Sequence, residues 1–136
     1  MPDGYCPSLW DKHSYLGMSH AIIRRYMPVS NSKSYVVATG APRDGLFGVV
    51  RFFHIMFDVS FGQVTKLIDV ALRGPHKGAY FGFSMAAVDL NGDKHEDLIV
   101  GAPYYSARKF EPNLGAVYIY QNHKSKVSVD VYFKSF

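Results

Sequence analysis

The sequence predicts an all-β chain of two similar four-stranded antiparallel units, and three observations carry that reading. First, landmarks recur in one order. Ser14-Tyr15-Leu16-Gly17 is echoed by Ala79-Tyr80-Phe81-Gly82, Gly40-Ala41-Pro42 by Gly101-Ala102-Pro103, and Gly48-Val49-Val50 by Gly115-Ala116-Val117. The offsets are 65 (82 − 17), 61 (101 − 40) and 67 (115 − 48) residues. Second, short apolar runs such as Leu98-Ile99-Val100 suit strands of a sheet covered on both faces. Third, hydrophobic residues make up 48% of the 136 residues and aromatic residues 15%, enough for a sizeable core and an argument against disorder. A long repeat of short strands indicates propeller blades, so the expected architecture is a partial β-propeller of two blades.

Taken in order, residues 1–14 read as an entry loop containing Pro, Gly, Ser and the single Trp10. Residues 15–78 form the first expected blade, with strands near Gly17–Arg24, Tyr35–Thr39, Phe47–Met56 and Val64–Leu72. Residues 79–136 form the second, with strands near Phe83–Leu90, Asp97–Val100, Ala116–Gln121 and Val127–Phe133. Pro42 and Pro103 fit strand ends, because proline has no amide to donate to a ladder. Glycines beside the strands permit close backbone approach and positive φ at turns. Over Gln121 to Phe136 two readings stay open, an outer strand with alternating Val and polar residues or a tail foreign to the blade.

The second unit contains Asp89-Leu90-Asn91-Gly92-Asp93-Lys94-His95-Glu96-Asp97. Oxygen side chains stand at every second place from Asp89 to Asp93, and Asp97 closes the set. In a tightly curled loop alternate side chains can point inward, and such a set of oxygens suits a hard cation taking six to eight of them at about 2.3–2.6 Å. An EF-hand is excluded, since its Gly and Glu positions hold Lys94 and Val100. On the residues alone a polar β-turn at Asn91-Gly92 stands beside the cation site. The matching stretch of the first unit, Tyr26 to Lys33, has no carboxylate and no expected metal.

Other classes are disfavoured. The net charge is +4, but the basic residues are dispersed and no motif reads bases, so nucleic acid is not an expected partner. No stretch approaches the ~18 apolar residues of a membrane span, and the first residues lack the basic start and apolar middle of a signal peptide. Cys6 is the single cysteine, so a disulfide within the chain is impossible. There is no GxSxG, HExxH or phosphate-cradling glycine loop, and the chain is not expected to be an enzyme.

Phe81-Gly82, the Asp89-x-Asn91-x-Asp93-x-x-x-Asp97 loop and Gly101-Ala102-Pro103 together resemble an FG-GAP repeat of an integrin α-subunit β-propeller. Tyr104-Tyr105-Ser106-Ala107-Arg108-Lys109 and Gly115-Ala116-Val117-Tyr118-Ile119-Tyr120 look most like the laminin-binding group. The resemblance implies about two blades from the middle of a propeller in a cell-surface adhesion receptor, whose secretion signal and membrane anchor lie outside this stretch. It implies Ca2+ held by Asp89, Asn91, Asp93 and Asp97, with the His95 backbone carbonyl as a fifth ligand. Lys94 departs from the glycine that many such loops carry.

The resemblance also implies a β-subunit partner. The residue after the Phe-Gly or Leu-Gly lines a central aromatic cup that seats a cation from that subunit; Phe83 matches, and Met18 departs from the aromatic pattern although its thioether can pack there; without the resemblance, Phe83 reads as a core aromatic. Tyr104, Tyr105, Arg108 and Lys109 give the loop to Leu114 an aromatic and basic character suited to an interface, beside the plainer reading of a solvated loop. Relatives that bind RGD peptides carry acidic residues before the Tyr-Leu-Gly, where Lys12 and His13 stand here with Asp11 one step further off. A laminin-like matrix ligand is therefore expected over an RGD ligand. FG-GAP repeats alone leave a second class open, a non-integrin propeller such as a secreted lectin or the accessory domain of a hydrolase.

Overall fold

The apolar runs and their flanking glycines produce eight strands among the described residues. The computed structural model describes residues 13–26, 33–58, 62–107, 114–122 and 127–130. The strands are β1 (Ser19–Tyr26), β2 (Lys33–Ala41), β3 (Val49–Asp58), β4 (Gly62–Arg73), β5 (Ser84–Val88), β6 (Asp97–Ala102), β7 (Ala116–Asn122) and β8 (Val127–Asp130). The ends of the first seven strands fall within two residues of their expected places, and β8 starts at the expected Val127. The strands form two antiparallel sheets, ordered β1-β2-β3-β4 and β5-β6-β7-β8. The fold is all-β, as the repeat requires. The Tyr26–Lys33 connection, most of the entry loop and the last residues of the chain lie outside the described residues.

The two units repeat in register as well as in order. Ser19 pairs with Gly40 in the first sheet, and Ser84 pairs with Gly101 in the second. The turns that open β1 and β5 share a backbone conformation. Tyr15 and Tyr80 have φ of 54° and 59°, and Gly17 and Gly82 have φ of 93° and 90°. The Met18 amide donates to the Tyr15 carbonyl and the Phe83 amide to the Tyr80 carbonyl, both at 3.1 Å. The Gly17 amide likewise reaches the Gly40 carbonyl, and the Gly82 amide the Gly101 carbonyl. A left-handed tyrosine is strained, so its recurrence marks a turn held by its surroundings.

One core joins the sheets. Ala21, Ala38 and Val50 come from the first sheet, and Leu98, Val100, Ala102, Ala116, Tyr118 and Tyr120 from the second. Phe81 sits at their junction, fully buried, with its ring edge-on to Tyr118 at 5.3 Å and to Tyr120 at 6.2 Å. Burial pushes the Tyr118 and Tyr120 hydroxyls up to about 12, with Tyr105 and Tyr118 respectively adding to the shift, so both rings pack as neutral groups.

Two glycines make the sheet contact possible. A Cβ on Gly40 would fall on the Gly82 carbonyl, and one on Gly48 would fall on the Phe81 backbone. The Ser19 hydroxyl then donates to the Gly82 carbonyl at 2.7 Å. Among the described residues, the expected cover on both faces of the second sheet is met on one side only. Leu98 and Val100 are buried against the first sheet, while Ile99 between them is half-exposed on the other face.

Candidate functional site

The acidic loop joins β5 to β6 and is curled by its own side chains. Gly92 and Lys94 both take positive φ, 78° and 67°. Asp89 Oδ1 accepts the amides of Gly92 at 2.8 Å and Asp93 at 3.2 Å, and its Oδ2 accepts the Lys94 amide at 2.8 Å. Two linked Asx turns follow. Asn91 Oδ1 accepts the Asp93 amide at 3.0 Å, and Asp93 Oδ1 accepts the His95 amide at 2.8 Å. The Asn91 side-chain amide also donates to Asp93 Oδ2 at 3.2 Å. The alternate oxygens at 89, 91 and 93 therefore do face inward, towards the amides of residues 92 to 95.

Partial desolvation raises the Asp89 pKa, but the amides of Lys94, Gly92, Asp93 and Asn91 outweigh it and hold the carboxyl below its ordinary value. A lowered pKa means that this contribution to loop stability is complete above the ordinary carboxylate range. It is lost as the pH falls through the lowered pKa. Lys94 occupies a left-handed position that glycine takes without strain.

Asp97 behaves differently. It is fully buried, with Oδ2 accepting the Leu90 amide at 3.1 Å and Oδ1 accepting the Asn122 amide at 2.9 Å. The Asn122 side chain returns a bond to the Glu96 carbonyl at 3.3 Å. Asp97 thus ties the loop entrance to the end of β7, a contact spanning 25 residues. Spacing within the loop held no signal for Asn122, because its role comes from the β6–β7 pairing.

Among the described residues, no three carboxylate, imidazole or thiol groups converge on one point. The loop's donors are nevertheless all hard oxygens, three of them carboxylates, which is the chemistry calcium accepts. A carboxylate offers about four acceptor sites, so the amide bonds leave lone pairs on each. The residues fit a hard cation in kind.

The other expected residues that are described lie at the opposite end of the sheets. Val88 pairs with Asp97 at the acidic end and Ser84 with Gly101 at the other, about 14 Å away for four residue steps. At that far end Phe83 is 38% exposed and Met18 52% exposed, at matching places in the two units. Phe83 is therefore not a core aromatic in this chain; Phe81 has that place. Tyr104 is 50% exposed and packs edge-on to Tyr80 at 5.0 Å. In the first unit, the Arg43 guanidinium lies 5.1 Å from the Tyr15 ring centre.

Tyr105 turns inward instead. It packs against the core and stands edge-on to His76 at 4.6 Å. Its carbonyl accepts the amides of Leu114 and Gly115. His76, Lys77, Gly78, Tyr80, Tyr104 and Ser106 line an open cleft of about 520 Å³. Tyr80 was legible from the repeat, whereas His76 carried no sequence signal. Arg108 and Lys109 lie outside the described residues, as do Asp11 and Lys12; His13 is exposed.

Comparison with known proteins agrees with this architecture. The FG-GAP repeat family matches residues 81–120. Integrin alpha ina-1 of Caenorhabditis elegans is 38% identical over 109 residues, 79% of this chain and 10% of that protein. Integrin alpha-3 of Mus musculus is 44% identical over 86 residues, 63% of this chain and 8% of that protein. Integrin alpha-7 of Mus musculus is 39% identical over 111 residues, 81% and 9% respectively. The chain spans about a tenth of the length of these curated relatives. Residues 81–120 match an FG-GAP repeat, and the chain is similar to a segment of the integrin α-subunits.

Proposed function

We propose that this chain serves as two blades, residues 15–78 and 79–136, of a cell-surface adhesion receptor's α-subunit. It acts by binding and not by catalysis. The observation that carries the reading is the matched exposure of Met18 and Phe83 directly after the two turn glycines, while Phe81 fills the core. A rigid, repeated turn that displays Phe83 in one unit and Met18 in the other is suited to a partner protein, since aromatics and methionine are enriched at interfaces. The partner proposed is an integrin β-subunit. Tyr104 extends that face towards a matrix ligand, and Arg108 and Lys109, which follow it closely in sequence, are proposed to take part in the same binding. Lys12 and His13 would repel or fail to pair an arginine, which favours a laminin-like ligand over an RGD ligand. In the full subunit, Phe83→Ala is expected to weaken co-immunoprecipitation of the β-subunit by at least tenfold while leaving surface folding epitopes intact. Unchanged pairing refutes this role.

We also propose that Asp89, Asn91, Asp93, Asp97 and the His95 carbonyl hold a structural calcium ion. Support comes from the inward curl of the alternate oxygens and the depressed pKa of Asp89, which keeps that carboxylate charged. Magnesium suits the loop less well, because it retains its waters and demands a near-octahedral shell. At about 1 mM calcium and a dissociation constant near 0.1 mM, the ion would add about 1.4 kcal/mol of stability. A propeller containing this loop should melt at a higher temperature in calcium than in chelator, and Asp93→Ala should abolish that gain. A gain that survives the substitution would overturn the assignment.

A further inference from the structure

The cleft between the β4–β5 connection and the loop after β6 has fixed walls. His76, Lys77, Gly78, Tyr80, Tyr104 and Ser106 line it, and its volume of about 520 Å³ falls in the ~300–1,000 Å³ range of ordinary ligand clefts. The Ala79 amide donates to the His76 carbonyl at 3.4 Å, closing a tight turn with Lys77 and Gly78 at its corner. The Gly78 amide donates to the Leu46 carbonyl at 2.8 Å, and the Tyr104 amide to the Ala79 carbonyl at 3.2 Å. The Tyr80 and Tyr104 rings meet edge-on at 5.0 Å. Walls held in this way cost little further ordering when a ligand binds.

The chemistry of the lining is one-sided. It holds one ammonium, one imidazole and three hydroxyls, and no carboxylate. On the adjoining turn, Asp44 is already paired with Arg51 at 2.9 Å. Lys77 is exposed and, among the described residues, has no carboxylate partner. His76 is half-buried and held from behind: its Nδ1 lies 3.3 Å from the Tyr118 hydroxyl, and its ring is edge-on to Tyr105 at 4.6 Å. Burial keeps the Tyr118 hydroxyl protonated. With that hydroxyl donating to Nδ1, the ring proton sits on Nε2, which makes the imidazole a second donor beside Lys77.

We propose that this cleft binds a single carboxylate side chain on an acidic segment of a protein ligand, with Lys77 and His76 as its donors. The Tyr80 and Tyr104 rings would pack against the atoms beside that carboxylate. One ammonium and one imidazole match the two oxygens of one carboxylate. A polysulfated glycan would call for a row of cations, and the lining supplies a single lysine. The inference rests on the reading of this end of the sheets as a binding face, and it names the charge that the ligand must carry there.

Titration of the isotopically labelled 136-residue chain with N-acetylated, C-amidated Gly-Glu-Gly, followed by NMR shifts of its amides and imidazoles, tests it. Saturable shifts are expected at His76, Gly78, Tyr80 and Tyr104. The uncharged peptide of the same shape, Gly-Gln-Gly, should produce none. Lys77→Gln should weaken binding by about threefold or more, and Lys77→Arg should retain it. Both variants should keep the wild-type spectrum away from the cleft, since Lys77 is exposed. A heparin-derived disaccharide is the third probe. Equal binding of the two peptides overturns the proposal, as does the absence of saturable shifts or their appearance away from the cleft. Unchanged binding in Lys77→Gln overturns it too, and tighter binding of the disaccharide than of Gly-Glu-Gly reassigns the cleft to a sulfated glycan. Failure here while Phe83→Ala still weakens β-subunit pairing removes this ligand chemistry alone. Failure of both removes the binding face itself.

Discussion

Replacement of Phe81 by alanine should remove about 3–5 kcal/mol of folding stability. The side chain is fully buried, and its ring meets Tyr118 and Tyr120 edge-on. Its backbone lies against Gly48, and its Cβ lies so close to Gly74 that a side chain at either glycine would collide with it. The surrounding atoms therefore belong to both sheets and cannot collapse into the space without separating them. Against the 5–15 kcal/mol that holds an ordinary domain together, this loss approaches complete unfolding. Denaturant midpoints would record it. Phe83→Ala, two residues away but exposed, should change stability by less than about 1 kcal/mol. Equal losses at the two positions would show that the burial pattern assigned to this turn is wrong.

Asp97→Ala should cost about 2–4 kcal/mol, because the Leu90 and Asn122 amides would lose their acceptor in a buried place. Asp97→Asn should do little better. An asparagine has one acceptor oxygen, and its NH2 group would face the second amide donor across the same site. The loss should persist in chelator, since it arises from bonds within the protein and not from an ion. Thermal melts of wild type and both variants in chelator measure it. A loss seen only when calcium is present would mean that Asp97 acts through the metal alone.

The same loop shows how far local sequence reaches. The alternation at 89, 91 and 93 made an inward-facing curl readable, because a two-residue spacing and Asx side chains act on backbone amides a few residues away. Asp97 looked like one more member of that set. Its bond to Asn122 depends on β6 lying beside β7, which no spacing within the loop reports.

Strand positions and the repeat were also legible. Apolar runs, glycines and prolines act through local backbone preference and recur at nearly one offset. The two phenylalanines were not separable in this way, since Phe81 and Phe83 flank the same glycine and have the same chemistry. The positive φ of Tyr80 and the Gly82 bond to the Gly101 carbonyl turn one inward and the other out. Tyr104 and Tyr105 divide similarly, one against Tyr80 at the surface and the other onto the core and His76.

By itself, then, the sequence determined that this protein is a tandem of antiparallel four-stranded sheets with a curled acidic loop in the second, because those features arise from preferences acting over a few residues. Only the tertiary structure decided which aromatic is buried and that Asp97 is a tie across strands. Those outcomes depend on what lies opposite each side chain, and in this chain the opposing group is often dozens of residues away.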